Sequence, residues 1–272
     1  MTARAVLAAA LLATAQPAFG QAPIAAPAPD AENAPAEIIP VPPVPPRITG
    51  GDQYDRCMDM LADDPAGADA LATSWHAGGD AATHCHALAQ IELGNPAAGA
   101  ALLTTLASAS EADATARAEL FGQAAQAWTM AGDAPKAMDA ATRAVGLAPE
   151  NADLRVIHAT AALAVHQEKA ADEDLSDALD ADPKRTDALV LRATARRQLG
   201  RLREAAADVE NAVTQDPQNA DALLERGIIR ERMGDLAGAR ADWQKAQELS
   251  PDSATGDLAQ QNLALLDAGP RQ

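Results

Sequence analysis

Cys57 and Cys85, with His76, His84 and His86 around the second cysteine, are the residues whose types and proximity most invite chemistry. Thiolates and imidazoles are the ligands zinc prefers. The spacing argues against a shared ion. On a helix, residues two apart point about 200° from one another, so His84 and His86 cannot meet one metal without a kink. A helical zinc pair sits at i and i+4 instead. His158 and His166 are isolated and read as ordinary helix and turn residues. No serine lies in a nucleophile elbow, and neither cysteine has a convincing base partner. The carboxylates fall on helix surfaces and turns, where solvation accounts for them. No metal, cofactor or catalytic set is expected.

The compartment decides how the two thiols are read. Arg4, the apolar run Ala5 to Ala15 and the small-x-small triplet Ala18-Phe19-Gly20 form the pattern of a secretory signal over residues 1–20. The run is too short to span a bilayer, which takes about 20 residues. Cleavage near Gly20 and export to a bacterial periplasm are expected, with no membrane span in the mature chain. An even cysteine count in an exported chain predicts a Cys57–Cys85 disulfide, with two free buried thiols as the alternative. Residues 21–50 are rich in proline and alanine and end in Pro42-Pro43-Val44-Pro45-Pro46 and Arg47. Such a segment favours extended polyproline II and reads as a disordered linker or spacer.

The elements that must position everything else announce themselves by period. Pro149, Pro183, Pro217 and Pro251 recur every 34 residues. Ala137, Ala171, Ala205 and Ala239 travel with them, as do Ala144, Ala178, Ala212 and Ala246, and Ala125, Ala159, Ala193 and Gly227. Small residues in fixed register allow two helices to cross closely. Gly132, Gly200 and Gly234 fit the left-handed turn that ends a helix. His166 holds that place in the second unit, which predicts a looser or differently closed turn. Leu236, Ala239, Trp243, Ala246 and Leu249 keep one face of a helix apolar, and each proline stops such a helix. Self-similarity at this period means a stack of helical units.

On Ala222-Leu223-Leu224-Glu225-Arg226-Gly227, then Gly234-Asp235, Ala239, Trp243, Ala246 and Pro251, the chain resembles the tetratricopeptide repeat family. The resemblance covers about residues 118–253 and implies an all-α, right-handed helical-hairpin solenoid. It comprises four regular repeats at 118–253, divergent helical repeats at 51–117 and a capping helix at 254–268. In the divergent part, Tyr54 to Leu61 and Ala66 to Ala77 suggest one helix pair. Gly94, Gly99, Leu102, Leu103 and Leu106 suggest another, separated from the regular array by four extra residues around Ser108 to Asp113. Leu258, Leu263 and Leu266 are expected to face the last repeat. In such a stack Cys57 and Cys85 fall on first helices of neighbouring units.

The family typically binds extended peptides or partner helices in a concave groove lined by first helices. By resemblance, the candidates here are Gln126, Thr129, Val156, Thr160, Leu163, Val190, Thr194, Arg197, Leu224, Ile228 and Glu231. The Lys and Asn clamp of the family's chaperone-tail binders is replaced by Thr, Val and Leu, so that activity does not carry over. The net charge of −18 opposes binding to nucleic acid or anionic membrane. Against that background, Lys184, Arg185, Arg192, Arg196, Arg197, Arg201 and Arg203 form a basic run, followed by Arg226, Arg230 and Arg232. Either these arginines pair with acids such as Glu204, Asp208 and Glu210, or they form a basic patch for an acidic or amphipathic partner. The expected function is a non-catalytic protein-binding scaffold of the cell envelope. A passive spacer tethered through the proline-rich segment is the alternative, and an enzyme or metal-binding protein is much less favoured.

Overall fold

The computed structural model describes residues 51–269. The expected signal sequence and nearly all of the proline-rich linker lie outside the described residues. Within them the chain forms α1 (Asp52–Met60), α2 (Pro65–Ser74), α3 (Gly79–Glu92), α4 (Pro96–Ala109), α5 (Ala114–Met130), α6 (Ala134–Leu147) and α7 (Ala152–Ala164). There follow α8 (Glu168–Ala181), α9 (Thr186–Gln198), α10 (Leu202–Gln215), α11 (Ala220–Arg232), α12 (Leu236–Leu249) and α13 (Ala254–Ala268). Each even-numbered helix packs between the odd-numbered helices before and after it, and α5, α7, α9, α11 and α13 also pack in sequence against one another. This is an all-α helical-repeat solenoid.

The 34-residue period appears directly in the helix bounds, since α6, α8, α10 and α12 begin and end in step. Each ends two residues before its proline, which has no N–H to continue the ladder. The small residues sit where helices cross: Ala125, Ala159, Ala193, Ala137, Ala171, Ala205 and Ala239 are fully buried. A Cβ at Gly227 would overlap the indole of Trp243, so the glycine makes room for the largest side chain of the second helices. The units thus balance volume across one contact.

His166 departs from expectation. It adopts φ 59°, in the left-handed region that Gly132, Gly200 and Gly234 occupy at the equivalent turns. The next residue, Gln167, donates its N–H to Ala162 O at 2.8 Å, as Asp133 does to Trp128 O and Arg201 to Arg196 O. The turn therefore closes as the others do, with backbone strain a glycine would avoid. The four extra residues near Ser108 to Asp113 also fold differently from a loop. They lengthen α5 to 17 residues, against 13 in α7, α9 and α11. Asp113 caps the added turn by accepting from the Ala116 N–H. Arg117 then donates its Nε–H to Ala107 O, a carbonyl left open at the end of α4. In the first helix pair, α2 stops at Ser74, before the expected Ala77, with Trp75 as its C-cap.

Two apolar residues also face otherwise than expected. Leu236, at the first position of α12, is 51% exposed. On α13, Leu263 and Leu266 pack on the last repeat, but Ala259 takes the buried place and Leu258 turns to solvent. Ala259 is fully buried, and Gly256 lies against the Ser250 carbonyl at the turn before α13.

At the N-terminal end, Cys57 of α1 and Cys85 of α3 are disulfide-bonded, with Cα atoms 6.2 Å apart. Beside them runs a buried polar chain. Tyr54 Oη lies 2.6 Å from His84 Nδ1, and His84 Nε2 lies 2.7 Å from Gln123 Oε1. The amide oxygen of Gln123 accepts, so Nε2 carries the proton and the Tyr54 hydroxyl donates to Nδ1. Burial lowers the His84 pKa to about 4, and no carboxylate lies among these bonded partners to offset it. His86 leaves this chain and pairs with Asp69 at 2.6 Å.

Two outcomes follow. Ala205→Leu or Ala239→Leu, at fully buried crossings, should each cost roughly 1–3 kcal/mol, while Ala207→Leu, on an exposed face, should leave the melting temperature nearly unchanged. Equal melting of all three would refute the register. For His84, the folded pKa lies below the unfolded one of about 6.5. Stability is then fully present above that value and lost as pH falls from about 6.5 towards 4, by up to about 3 kcal/mol. Urea unfolding should show a smaller acid loss in His84→Gln than in wild type.

Candidate functional site

The odd-numbered helices share one face that the even-numbered helices leave uncovered, and the 34-residue period puts equivalent side chains along it. Near the middle stand Gln126, Thr160, Thr194 and Ile228, and near the helix ends Thr129, Leu163, Arg197 and Glu231. Gly122, Val156, Val190 and Leu224 share a third row. Leu163, Val190 and Ile228 are half-buried and continuous with the core. Val156 and Leu224 are buried, so they form the floor of this face more than its surface. Thr129, Thr160 and Thr194 each donate their hydroxyl to the carbonyl four residues back, at 2.9 to 3.1 Å. With those protons spent inside the helix, the threonines present little donor capacity and a methyl group.

Arg197 is not a free cation of this face. Its Nε and Nη2 donate to Glu225 of α11, at 2.5 and 3.2 Å, and the pair is nearly buried. Burial raises the Glu225 carboxyl, an effect that the bonds from Arg197 oppose. One unit earlier the same two positions hold Leu163 and Leu191, and before that Thr129 and Ile157. The charged pair of α9 and α11 thus has no counterpart at the equivalent positions of the two earlier units.

The basic run dissolves in the same way. Arg192 grips Asp208 with two donors, at 3.0 and 2.8 Å, and Arg226 grips Asp242 at 2.9 and 2.6 Å. His158 meets Asp174 at 2.5 Å at the equivalent place in the unit before. Arg196 and Arg230 donate to the same aspartates from one turn further on. Between units, Arg196 and Arg201 reach Asp172, and Arg226 and Arg230 reach Glu210. Arg185 bridges Asp153 and Asp187. Of the two readings the pairing holds for most of the run, as an internal ion-pair ladder with Asp208 and Asp242 only 5% exposed at the side chain, while Lys184, Arg203 and Arg232 stay exposed outside it. Sequence reasoning weighs this pairing but misses its regularity. The signal is present, since residues 158/174, 192/208 and 226/242 are each sixteen apart and repeat every 34.

The ladder spends most of the arginines of the stack on internal carboxylates. His84, His86 and His158 all hold internal partners. Among the described residues, no helix is long and apolar enough to cross a membrane.

Comparison with known proteins bears on the fold. The family model of the tetratricopeptide repeat matches residues 190–254. Among solved structures, the chain is similar to TTC0263, a thermophilic TPR protein of Thermus thermophilus, with a TM-score of 0.54 and 18% identity over 75% of this chain and 99% of that one. It is likewise similar to MamA residues 41-end of Desulfovibrio magneticus, with a TM-score of 0.53 and 18% identity over 76% and 99%. No curated protein matches the chain.

Arg197→Ala strands the buried Glu225 carboxylate and should cost about 3–5 kcal/mol. Arg197→Leu with Glu225→Leu copies the pair found one unit earlier and should recover most of that loss. Denaturant unfolding of the single and double variants checks this, and a double variant as weak as the single would refute the pairing.

Proposed function

The chain belongs to the tetratricopeptide-repeat family, and we propose that it is a non-catalytic protein-binding scaffold of the bacterial cell envelope. It holds a partner segment on the face of its odd-numbered helices. The observation that carries the reading is a half-buried aliphatic side chain on each of three successive odd helices, Leu163, Val190 and Ile228, each from a different row and each continuous with the core. They offer staggered apolar anchor points across the face, and the neighbouring threonines add little polar cost to covering it. The signal pattern of residues 1–20 supports export, and the expected partner is then periplasmic.

The arginine ladder alters the partner expected from sequence. An acidic segment would have to compete with Asp208, Asp242 and Glu225 for guanidiniums that each already donate two bonds. Arg197 is accordingly assigned to holding the stack together, and the contact role passes to Thr194 and Ile228. A passive spacer would have no use for this face.

Cross-linking of the tagged full chain in its native envelope fraction tests the reading. Ile228→Asp with Thr194→Asp should reduce recovery of a specific partner at least tenfold while helicity and melting stay near wild type. The same fraction should contain a mature chain beginning at Gln21 by intact mass. Unchanged partners in the double variant would favour the spacer, and a chain retaining Met1 in the cytosol would sink the envelope assignment.

A further inference from the structure

We infer that the segment held on this face is cationic: an extended stretch in which Lys or Arg recurs about every third residue between aliphatic side chains. The inference rests on the binding reading above and names the chemistry of its partner.

The basis is a second periodic row on the odd helices. Glu119, Asp153, Asp187 and Asp221 stand in the early turns of α5, α7, α9 and α11, one unit apart throughout. Asp153 and Asp187 are 75% and 56% exposed. Glu119, Asp153 and Asp221 take part in bonds between neighbouring units without being exhausted by them. Asn151 donates to Glu119 at 2.8 Å, Thr255 donates to Asp221, and Arg185 donates to both Asp153 and Asp187. A carboxylate has about four lone-pair sites, so Glu119, Asp153 and Asp221, with one bond each, keep acceptor capacity, while Asp187 is filled by Arg185 and the Ala188 N–H.

Arg185 shows what the row accepts. It is a guanidinium lying between two successive carboxylates, supplied by the chain itself. The equivalent positions in the neighbouring units hold the neutral Asn151 and Asn219. The steps from Glu119 to Asp153 and from Asp187 to Asp221 therefore lack the cation that the step from Asp153 to Asp187 contains. Elsewhere on these helices Glu225 is neutralised by Arg197, while Glu231 and Arg232 are adjacent and exposed. Acids outnumber guanidiniums on this face, in a chain whose overall charge is −18.

Spacing sets the register of the ligand. Packed helices lie about 8–10 Å apart, and an extended chain in the polyproline II form advances about 3.1 Å per residue and returns to the same face every third residue. Every third side chain then meets a new carboxylate, and the side chains between can reach Leu163, Val190 and Ile228.

Fluorescence anisotropy with the full mature chain tests this, using three labelled peptides of equal length that repeat Lys-Ala-Val, Glu-Ala-Val or Ser-Ala-Val. The lysine peptide should bind at least tenfold more tightly than the glutamate peptide, and the gap should narrow as salt rises. Asp153→Asn with Asp187→Asn and Asp221→Asn should remove most of that preference. Asp139→Asn with Glu173→Gln and Asp180→Asn, at exposed sites on the even helices, should keep it, with melting curves recorded for both variants. Equal loss in the two variants would mean diffuse attraction to an acidic chain and would overturn the inference, as would tight binding of the glutamate peptide. If the serine peptide binds as well as the lysine peptide and Ile228→Asp abolishes both, the binding face stands and its cationic preference falls. If no peptide responds to Ile228→Asp, the face itself is wrongly assigned.

Discussion

Close approach of helices through small side chains is the constraint on which the rest of this structure depends. More than half of the buried apolar residues are alanine. An alanine loses almost no side-chain entropy on burial and favours the helix, but it contributes little apolar area. The stack therefore draws its stability from many close backbone contacts, with large anchors such as Phe121 and Trp243 being few. Gly227 against Trp243, and Ala193 against Val209, show one contact solved with different partitions of the same volume.

A thin core explains the arginines. Their stems cover apolar surface between helices while their guanidiniums reach across to fixed carboxylates. Asp208 and Asp242 are too buried to remain unpaired, and each is held by two arginines from the facing helix. The bonds to Asp172 and Glu210 cross from one unit to the next. An alanine interface alone would tolerate sliding by a helical turn, whereas these directional pairs penalise it. In the first regular unit the corresponding positions are the buried Ala124 and Ala140, so the ladder begins with His158 and Asp174.

Much of this is legible from sequence. The prolines, the small residues and the glycine turns are each tied to one local requirement, so their period translates directly into helix bounds. Facing is less legible. Leu258 and Leu236 look like core residues, yet a helix end or a close crossing leaves no room for them, and Ala259 is buried instead. His166 reads as a departure because its side chain is wrong for the turn, but the backbone bonds to Ala162 and Leu163 impose the conformation regardless. The candidate binding residues come from the family's first-helix face, and that face alone does not tell a surface residue from Leu224 or an available charge from Arg197.

Charge shows most clearly why a linear count misleads. Along the chain, residues 184–203 look basic because the acids that neutralise them, Asp153, Asp172, Asp208 and Glu225, lie in other helices. Folding superimposes the arginines of one helix on the aspartates of the next and removes both from the exterior account. What remains outside is set by the residues without partners in the ladder, and the overall excess of acid makes most of these carboxylates. A local basic stretch and an acidic exterior are therefore compatible, and the second governs what can approach the stack at long range.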